Sequence, residues 1–273
     1  PQPEEGAERF ARRSPAYRRL AEAADLVAGN SRHEASFFDS SVEVIPLPVP
    51  AIESRYEPEP GTVGLLGFIY PGKGHDDVIR ALAGTGLKVR ALGGVSAGHE
   101  SWARHLRELA AECGVDLHIT GYLSDADLAA EMGRITVPVC AHRHYSASGS
   151  LMTWLGAGRR VLVSDSPYTR EMAGQWPGRI GIVSTYMSHG VYRGLRRGRI
   201  LAAPTDFAVL QGRLAVEMAV RALEGRLEIR DAGPAIVTVT PENAARVGMG
   251  ESLPPAVFEA VFAHDPAAAA PGR

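Results

Sequence analysis

A lysine stands inside a glycine-rich turn at Gly67-Phe-Ile-Tyr-Pro-Gly72-Lys73-Gly74. An apolar run from Val63 to Ile69 leads into it, and a helical pattern leads out as far as Leu82. A strand, a glycine-rich turn and a helix start aim backbone N–H groups at one point, and an ammonium there adds a full charge. That is chemistry for holding a phosphate. The spacing fits the first seven positions of a P-loop, but the eighth, which holds magnesium through Ser or Thr, is Gly74, so a nucleoside triphosphatase is not expected. A second turn has the same character. Tyr145-Ser-Ala-Ser-Gly-Ser150 opens a helix with small residues, and Ser148, Gly149 and Ser150 would offer free N–H groups to an anion at the helix's positive end. Taken singly, the first turn also reads as an ordinary strand-to-helix turn with a surface lysine, and the second as plain serine capping. Following strands one and four of one sheet, the two turns face one crevice, and together they favour a diphosphate.

Other chemistry-bearing clusters point elsewhere. His142 and His144 alternate as a metal pair on a strand would, but no nearby Cys, Asp or Glu completes a ligand set, so no metal is expected. Asp125 and Asp127 sit within Ser124-Asp-Ala-Asp127, which reads as a helix start with acids on the positive dipole end. Arg193, Arg196, Arg197 and Arg199 form a basic run, read as a solvated face, with anionic lipid (a peripheral membrane contact) or a protein partner as the alternative. No Ser-His-Asp context for a nucleophilic serine is visible in the sequence.

The elements that must position these groups follow a regular rhythm from Thr62 onward. Strands are expected at Val63–Ile69, Lys88–Leu92, Leu117–Thr120, Ile135–Ala141, Val161–Ser164 and Ile180–Val183. Helices are expected between them: through Leu82, from Glu100 to Cys113, from Ser124, from Ser148 to Ala157 and from Tyr168 to Ala173. A longer helix is expected over Asp206–Leu223. Strands recurring roughly every 25 residues and alternating with helices make βαβ units and a parallel sheet. Their near-continuous apolar character suits a sheet covered on both faces. The fold class is therefore α/β, a Rossmann-like doubly wound parallel sheet. Pro138 cannot donate to a ladder, so it should demote the end of the fourth strand or force a bulge. Ahead of this rhythm, a short helix over Tyr17–Ala24, an apolar run at Asp25–Ala28, a helix capped by Ser31 with Glu34 completing a capping box and running to about Asp39, and a strand at Val42–Ile45 look like the last βα unit of a preceding domain. Pro46, Pro48, Pro50, Pro58 and Pro60 mark a linker. Past Glu228 only a strand at Ile236–Val239 and a helix at Pro254–Phe262 are readable, and Ala267–Arg273 reads as disordered.

The chain has 273 residues and 45% hydrophobic content, enough for a real core. Its net charge of −2 and only 7% aromatics argue against a nucleic-acid binder working by bulk charge or base stacking. Of 29 basic residues only Lys73 and Lys88 are lysines. That skew looks like a base-composition bias under which a retained lysine is informative. Cys113 and Cys140 cannot frame a disulfide-built fold and read as buried small hydrophobes in a reducing compartment. No run reaches about 18 apolar residues, and no secretory signal is visible. The first residue is Pro1, which suggests a fragment, a processed product or a trimmed chain.

From about Ala21 to Leu223 the sequence resembles the C-terminal nucleotide-sugar domain of retaining GT-B glycosyltransferases of the group 1 type. Ala24-Asp-Leu-Val-Ala-Gly-Asn-Ser-Arg-His-Glu-Ala35 is similar to the last strand and helix of that family's N-terminal domain, and Val44-Ile-Pro-Leu-Pro-Val-Pro50 to the passage into its linker. Gly67 to Asp76 is similar to the loop whose lysine contacts the donor diphosphate, a place taken by Lys73. Thr120-Gly-Tyr-Leu-Ser-Asp-Ala-Asp-Leu128 matches the stretch that borders the base. Ser146 to Ser150 and Gly158-Arg-Arg-Val-Leu-Val-Ser-Asp165 match the later helix start and strand. The chain also departs from the pattern. Phe68 stands where an arginine is common, and Tyr145 and Thr153 stand where the family has two glutamates, one near the transferred sugar and one on the ribose.

The resemblance implies the C-terminal half of a GT-B fold: residues 1–60 a remnant of the N-terminal domain with the linker, 61–228 the nucleotide-sugar domain, and 229–273 an extension. It implies transfer of a sugar, with retention, from a nucleoside-diphosphate donor to a sugar, lipid or small-molecule acceptor, with no cofactor or metal and in the cytoplasm. The diphosphate would be held by Gly67, Gly72, Lys73, Ser148, Gly149 and Ser150. Nucleoside or sugar contacts would come from Tyr122, Leu123, His142, Arg143, Tyr145 and Thr153; no catalytic residue is assigned. The alternative is a nucleotide-sugar or phosphate-binding module without catalysis. A phosphorylase is disfavoured, because only Lys73 and Lys88 are available to hold pyridoxal phosphate.

Overall fold

The computed structural model describes residues 7–145 and 147–255. The chain divides into two compact units, Pro1–Val183 and Ser184–Arg273.

The first unit opens with α1 (Ala7–Ala23), longer than the expected Tyr17–Ala24 and carrying Pro15 inside it. Strands β1 (Ala28–Gly29) and β2 (Glu43–Val44) pair in parallel on either side of α2 (Arg32–Ala35) in the sequence. Ser31 caps α2 by accepting from the Glu34 N–H. The expected capping box closes differently, because Glu34 accepts from the N–H of Asn30, one residue ahead of the cap, at 3.0 Å. The helix ends at Ala35, well short of Asp39.

The main sheet follows. Its elements are β3 (Thr62–Leu66), α3 (His75–Ala81), β4 (Lys88–Leu92), α4 (Glu100–Glu112), β5 (Asp116–Ile119), α5 (Asp125–Arg134), β6 (Val137–Cys140), α6 (Gly149–Gly156), β7 (Val161–Ser164), α7 (Pro167–Gln175) and β8 (Ile180–Val183). The six strands β3 to β8 run parallel in the order β5-β4-β3-β6-β7-β8. This is the Rossmann-like order, in which the chain reverses its direction of travel between β3 and β6. Right-handed crossovers then place α3 and α4 on one face and α5, α6 and α7 on the other. Beneath α3 and α4 the core is built on Val63, Leu65, Ile79, Val89 and Leu106. Burying a side chain such as fully enclosed Ile79 or Leu106 contributes on the order of 1.5–3 kcal/mol.

Pro138 neither ends β6 nor is expelled to an edge. It lies mid-strand opposite Gly64 of β3. The ladder to β7 begins only at Val139, one residue past the proline, so the missing donor shortens that ladder. The proline-marked linker has no regular structure, yet it is pinned to the sheet's helices. The N–H groups of Ile52, Glu57 and Glu59 donate to the carbonyls of Gly156, Gly133 and Arg134. A Cβ at Gly133 or Gly156 would fall within 2.0 Å of a linker carbonyl, so the strap depends on both glycines.

The second unit holds α8 (His189–Arg196), β9 (Ala203–Thr205), α9 (Ala208–Leu223), β10 (Val237–Val239) and α10 (Met249–Ser252), with β9 and β10 antiparallel. Arg193, Arg196, Arg197 and Arg199 are exposed at the end of α8 and just past it. The helix expected at Pro254–Phe262 and the tail from Ala267 fall almost wholly outside the described residues.

Candidate functional site

The two turns singled out in the sequence meet at the C-terminal edge of the sheet, beside the β3/β6 reversal, where ligands sit in open α/β sheets. The first turn follows β3 and the second follows β6. They are stitched together by main chain and side chain alike. The Arg143 N–H donates to the Gly72 carbonyl at 3.0 Å. The Arg143 guanidinium reaches back to Asp76 at 2.7 Å and Asp77 at 2.8 Å. Gly74 caps α3 in the left-handed conformation, φ +76°, and a Cβ there would lie 2.0 Å from the Ala141 carbonyl oxygen. The residue that breaks the P-loop pattern is thus one at which the two turns touch.

Lys73 is half-buried between them. Its ammonium lies 3.5 Å from the Ser150 hydroxyl and 5.9 Å from the centre of the Tyr70 ring. No carboxylate among the described residues pairs with it, and burial lowers its pKa. Ser148 caps α6 by accepting from the Leu151 N–H at 3.2 Å, and its hydroxyl sits 3.2 Å from that of Ser150. The expectation of three free N–H groups needs correction. The Ser148 N–H donates to the Tyr168 hydroxyl at 3.3 Å, because the tyrosine is buried against the helix start. Gly149 and Ser150 keep their N–H groups at the positive end of α6, without partners among the described residues.

Two further expectations change. Arg143 is committed to Asp76 and Asp77 rather than held out for a sugar. Burial works to raise the Asp76 carboxyl, but hydrogen bonds from Arg80 and Arg143 outweigh it and hold the group below its ordinary value. Tyr145 is 4% exposed, its hydroxyl donates to the Cys140 carbonyl, and it stacks on Tyr168 at 5.8 Å. It is therefore a core residue. Thr153 donates to the Gly149 carbonyl at 2.9 Å within α6. Cys140 is buried and burial pushes its thiol up to about 11, whereas Cys113 is only half-buried.

Next to the lysine an apolar cavity of about 160 Å³ opens between the ends of β3 and β4 and the start of α5, walled by Gly67, Phe68, Gly93, Tyr122, Leu123 and Leu128. Tyr122, Leu123 and Phe68, the last 59% exposed, are part of its wall. Sequence reasoning passed over Gly93-Gly94, whose only signal is a glycine pair directly after a strand. It also passed over His75, whose signal is its position two residues after the lysine. His75 and His142 are buried beside Lys73. Burial, then the Lys73 charge, presses His75 down to about 4, against an opposing pull from Asp76. Burial, then Lys73 and His75, presses His142 down to about 3.

Ser124 caps α5 by accepting from the Asp127 N–H, and its hydroxyl donates to the Asp127 carboxylate at 2.6 Å. Among the described residues no three His, Cys, Asp or Glu side chains are grouped to hold a metal ion. No described helix is long and apolar enough to cross a membrane.

No family model matches the sequence. A stretch of 89 residues is 45% identical to the periplasmic protein TorT of Escherichia coli K12, covering 33% of this chain and 26% of TorT. The chain thus spans about a quarter of the length of that relative. This likeness overturns the cytoplasmic expectation, since the matched relative is periplasmic. Solved structures that resemble the chain include glycosyltransferases and an ABC-transporter solute-binding protein. HepE of Anabaena, solved with UDP-glucose, superposes with a TM-score of 0.51 at 17% identity, over 59% of this chain and 51% of HepE. The lipopolysaccharide outer core galactosyltransferase WaaB gives 0.43 at 16% identity, over 53% of this chain and 45% of WaaB. The HepE likeness is one of fold.

Proposed function

We propose that the crevice binds a nucleoside-diphosphate sugar and that the chain is the donor-binding side of a retaining glycosyl transfer. The observation that carries this is Lys73, half-buried and unpaired with any described carboxylate. It lies between the Ser150 hydroxyl at the start of α6 and an apolar slot walled by Tyr122 and Leu123. An ammonium and two free N–H groups suit a diphosphate, and the slot suits a base. In transfer, the same groups would stabilise charge building on the leaving diphosphate. The fold likeness to HepE, which was solved with UDP-glucose, supports the reading. In this proposal residues 61–228 form the nucleotide-sugar domain, 1–60 belong to a preceding domain and linker, and 229–273 are an extension. The acceptor is a sugar, a lipid or a small molecule.

A second reading has its own observations. Two family glutamate positions held by Tyr145 and Thr153 favour a binding module without catalysis. Calorimetric titration with UDP, ADP and GDP and their glucose derivatives tests the shared core of both readings. Saturable binding of at least one diphosphate, tighter than its nucleoside, is expected. Absence of binding across the set refutes both. Release of free sugar from a bound donor then separates the enzyme from the module.

A further inference from the structure

The surroundings of Lys73 are short of negative charge. His75, in the first turn of α3, is 2% exposed, and neither of its ring nitrogens has a hydrogen-bond partner. His142, on the turn after β6, is 8% exposed, and its enclosed Nδ1 is also unpartnered. Among the described residues the acid that bears on His75 is Asp76, whose Oδ2 is already shared by Arg80 and Arg143. Arg143 is spent on Asp76 and Asp77. Nearby, the Cys140 thiol is held protonated, the Tyr145 ring packs on His142 at 4.8 Å with its hydroxyl turned to Cys140, and the Ser148 and Ser150 hydroxyls face each other. None of these groups bonds either imidazole. A buried polar atom left unpartnered is destabilising, a cost a ligand can remove.

Resting on the diphosphate reading above, we infer that His142 is an anion-contacting residue: its imidazole donates to a phosphoryl oxygen of the ligand and takes up one proton from solvent as the ligand enters. No bond of the ligand breaks. The proton passes from a buffer acid to the free ring nitrogen, and imidazole becomes imidazolium. The charge arithmetic favours this. A diphosphate diester carries two negative charges, and Lys73 supplies one positive charge. In the empty site burial and the ammonium oppose a second positive charge; once two negative charges enter, the sign of the local field reverses. The uptake is one proton and not two, because His75 lies within electrostatic reach of His142 and like charges oppose each other. His142 takes it because it lies nearer the surface.

The test is calorimetry with UDP-glucose, ADP-glucose and GDP-glucose at pH 6.5 in buffers of different ionisation enthalpy. Both phosphates of such diesters stay singly ionised through this range, so any proton taken up goes to the protein. The expected result is uptake close to one proton per ligand, and affinity falling about tenfold per pH unit between about pH 5 and 7. In His142→Gln, which keeps an N–H donor but does not titrate, binding at pH 6.5 is weaker yet still saturable and uptake vanishes. The ring proton resonances of His142 in the unaltered protein report the same event without any substitution. Saturable, Lys73-dependent binding with no uptake overturns the inference and leaves the phosphate site standing. Uptake that survives in His142→Gln and vanishes in His75→Gln overturns the assignment to His142. No binding by any of the three sugars at any pH removes the diphosphate reading and this inference with it.

Discussion

Replacing Gly74 by alanine probes the contact that brings the two turns together. Its φ of +76° is a left-handed conformation, which costs a non-glycine residue about 1–2 kcal/mol. The new Cβ would stand 2.0 Å from the Ala141 oxygen and 2.9 Å from the Ala141 Cβ, where ordinary contact begins near 3.4 Å. The turns must part by about 1 Å, and overpacking of this kind costs about 1–3 kcal/mol. The sum is a loss of about 2–5 kcal/mol in urea unfolding. Gly72→Ala is the control. Gly72 has φ +97° but nothing within 4 Å of a Cβ, so backbone strain alone acts. Parting the turns also moves Lys73 from Ser150, so Gly74→Ala should weaken diphosphate binding even where it folds. Gly74→Ser, which completes the P-loop pattern, should destabilise at least as much and bring no magnesium dependence. If Gly74→Ala proves no less stable than Gly72→Ala and binds ligand as tightly as the unaltered chain, the two turns are not in contact and the site geometry is wrong.

Three further outcomes are expected. Lys73→Ala should weaken a bound nucleoside diphosphate by about 10- to 150-fold, the equivalent of a charge-assisted hydrogen bond, and leave the nucleoside unchanged; equal losses for both would remove Lys73 from the phosphate site. Magnesium or a chelator should leave nucleotide affinity nearly unaltered in the same titration, and a chelator that abolishes binding would refute the reading of Ser124, Asp125 and Asp127 as a helix start. Without ligand, stability should fall on acidification: His75 and His142 have folded pKa values of about 4 and about 3, below an unfolded value of 6.5, so the native state binds fewer protons. That stability is present in full above about pH 6.5 and is lost as pH falls towards those folded values, by up to about 1.4 kcal/mol per unit for each histidine; an unfolding midpoint flat from pH 7 to 5 would contradict it.

The parts of this fold legible in the sequence are those dictated by local pattern. β7 and β8 begin and end where their apolar runs do, since a strand of a covered parallel sheet leaves a near-continuous signature. The two turns were legible because glycine and serine mark them chemically. What escaped depends on distant partners. The strap between Pro50 and Glu59 reads as a loose proline linker, and only its contacts with Gly133 and Gly156 show that it is pinned. Helix α8 buries just Val191 and Leu195 within an arginine-rich stretch, too sparse a stripe to stand out. Arg143 looked available until its two carboxylates, more than sixty positions away, came into view. Tyr145 sits where a surface contact was expected and is core, because its ring stacks on Tyr168 of the next βα unit.

These same displacements separate binding from chemistry at this site. Three acids near the crevice are already engaged. Asp76 and Asp77 hold Arg143, and Asp127 answers the Ser124 cap. The two positions that would carry glutamates by family resemblance hold hydroxyls bonded to main-chain carbonyls, Tyr145 to Cys140 and Thr153 to Gly149. What faces the ligand is an unpaired ammonium, two helix-start N–H groups and two orphaned imidazoles. Such a set stabilises an anion and offers no carboxylate to a sugar. It therefore accounts for holding a diphosphate, and for easing its departure, but not for choosing or positioning the sugar. A crevice of this composition should discriminate strongly among phosphate states and weakly among hexoses. Glucose and galactose donors on the same nucleotide should differ little in affinity, whereas removing one phosphate should cost far more.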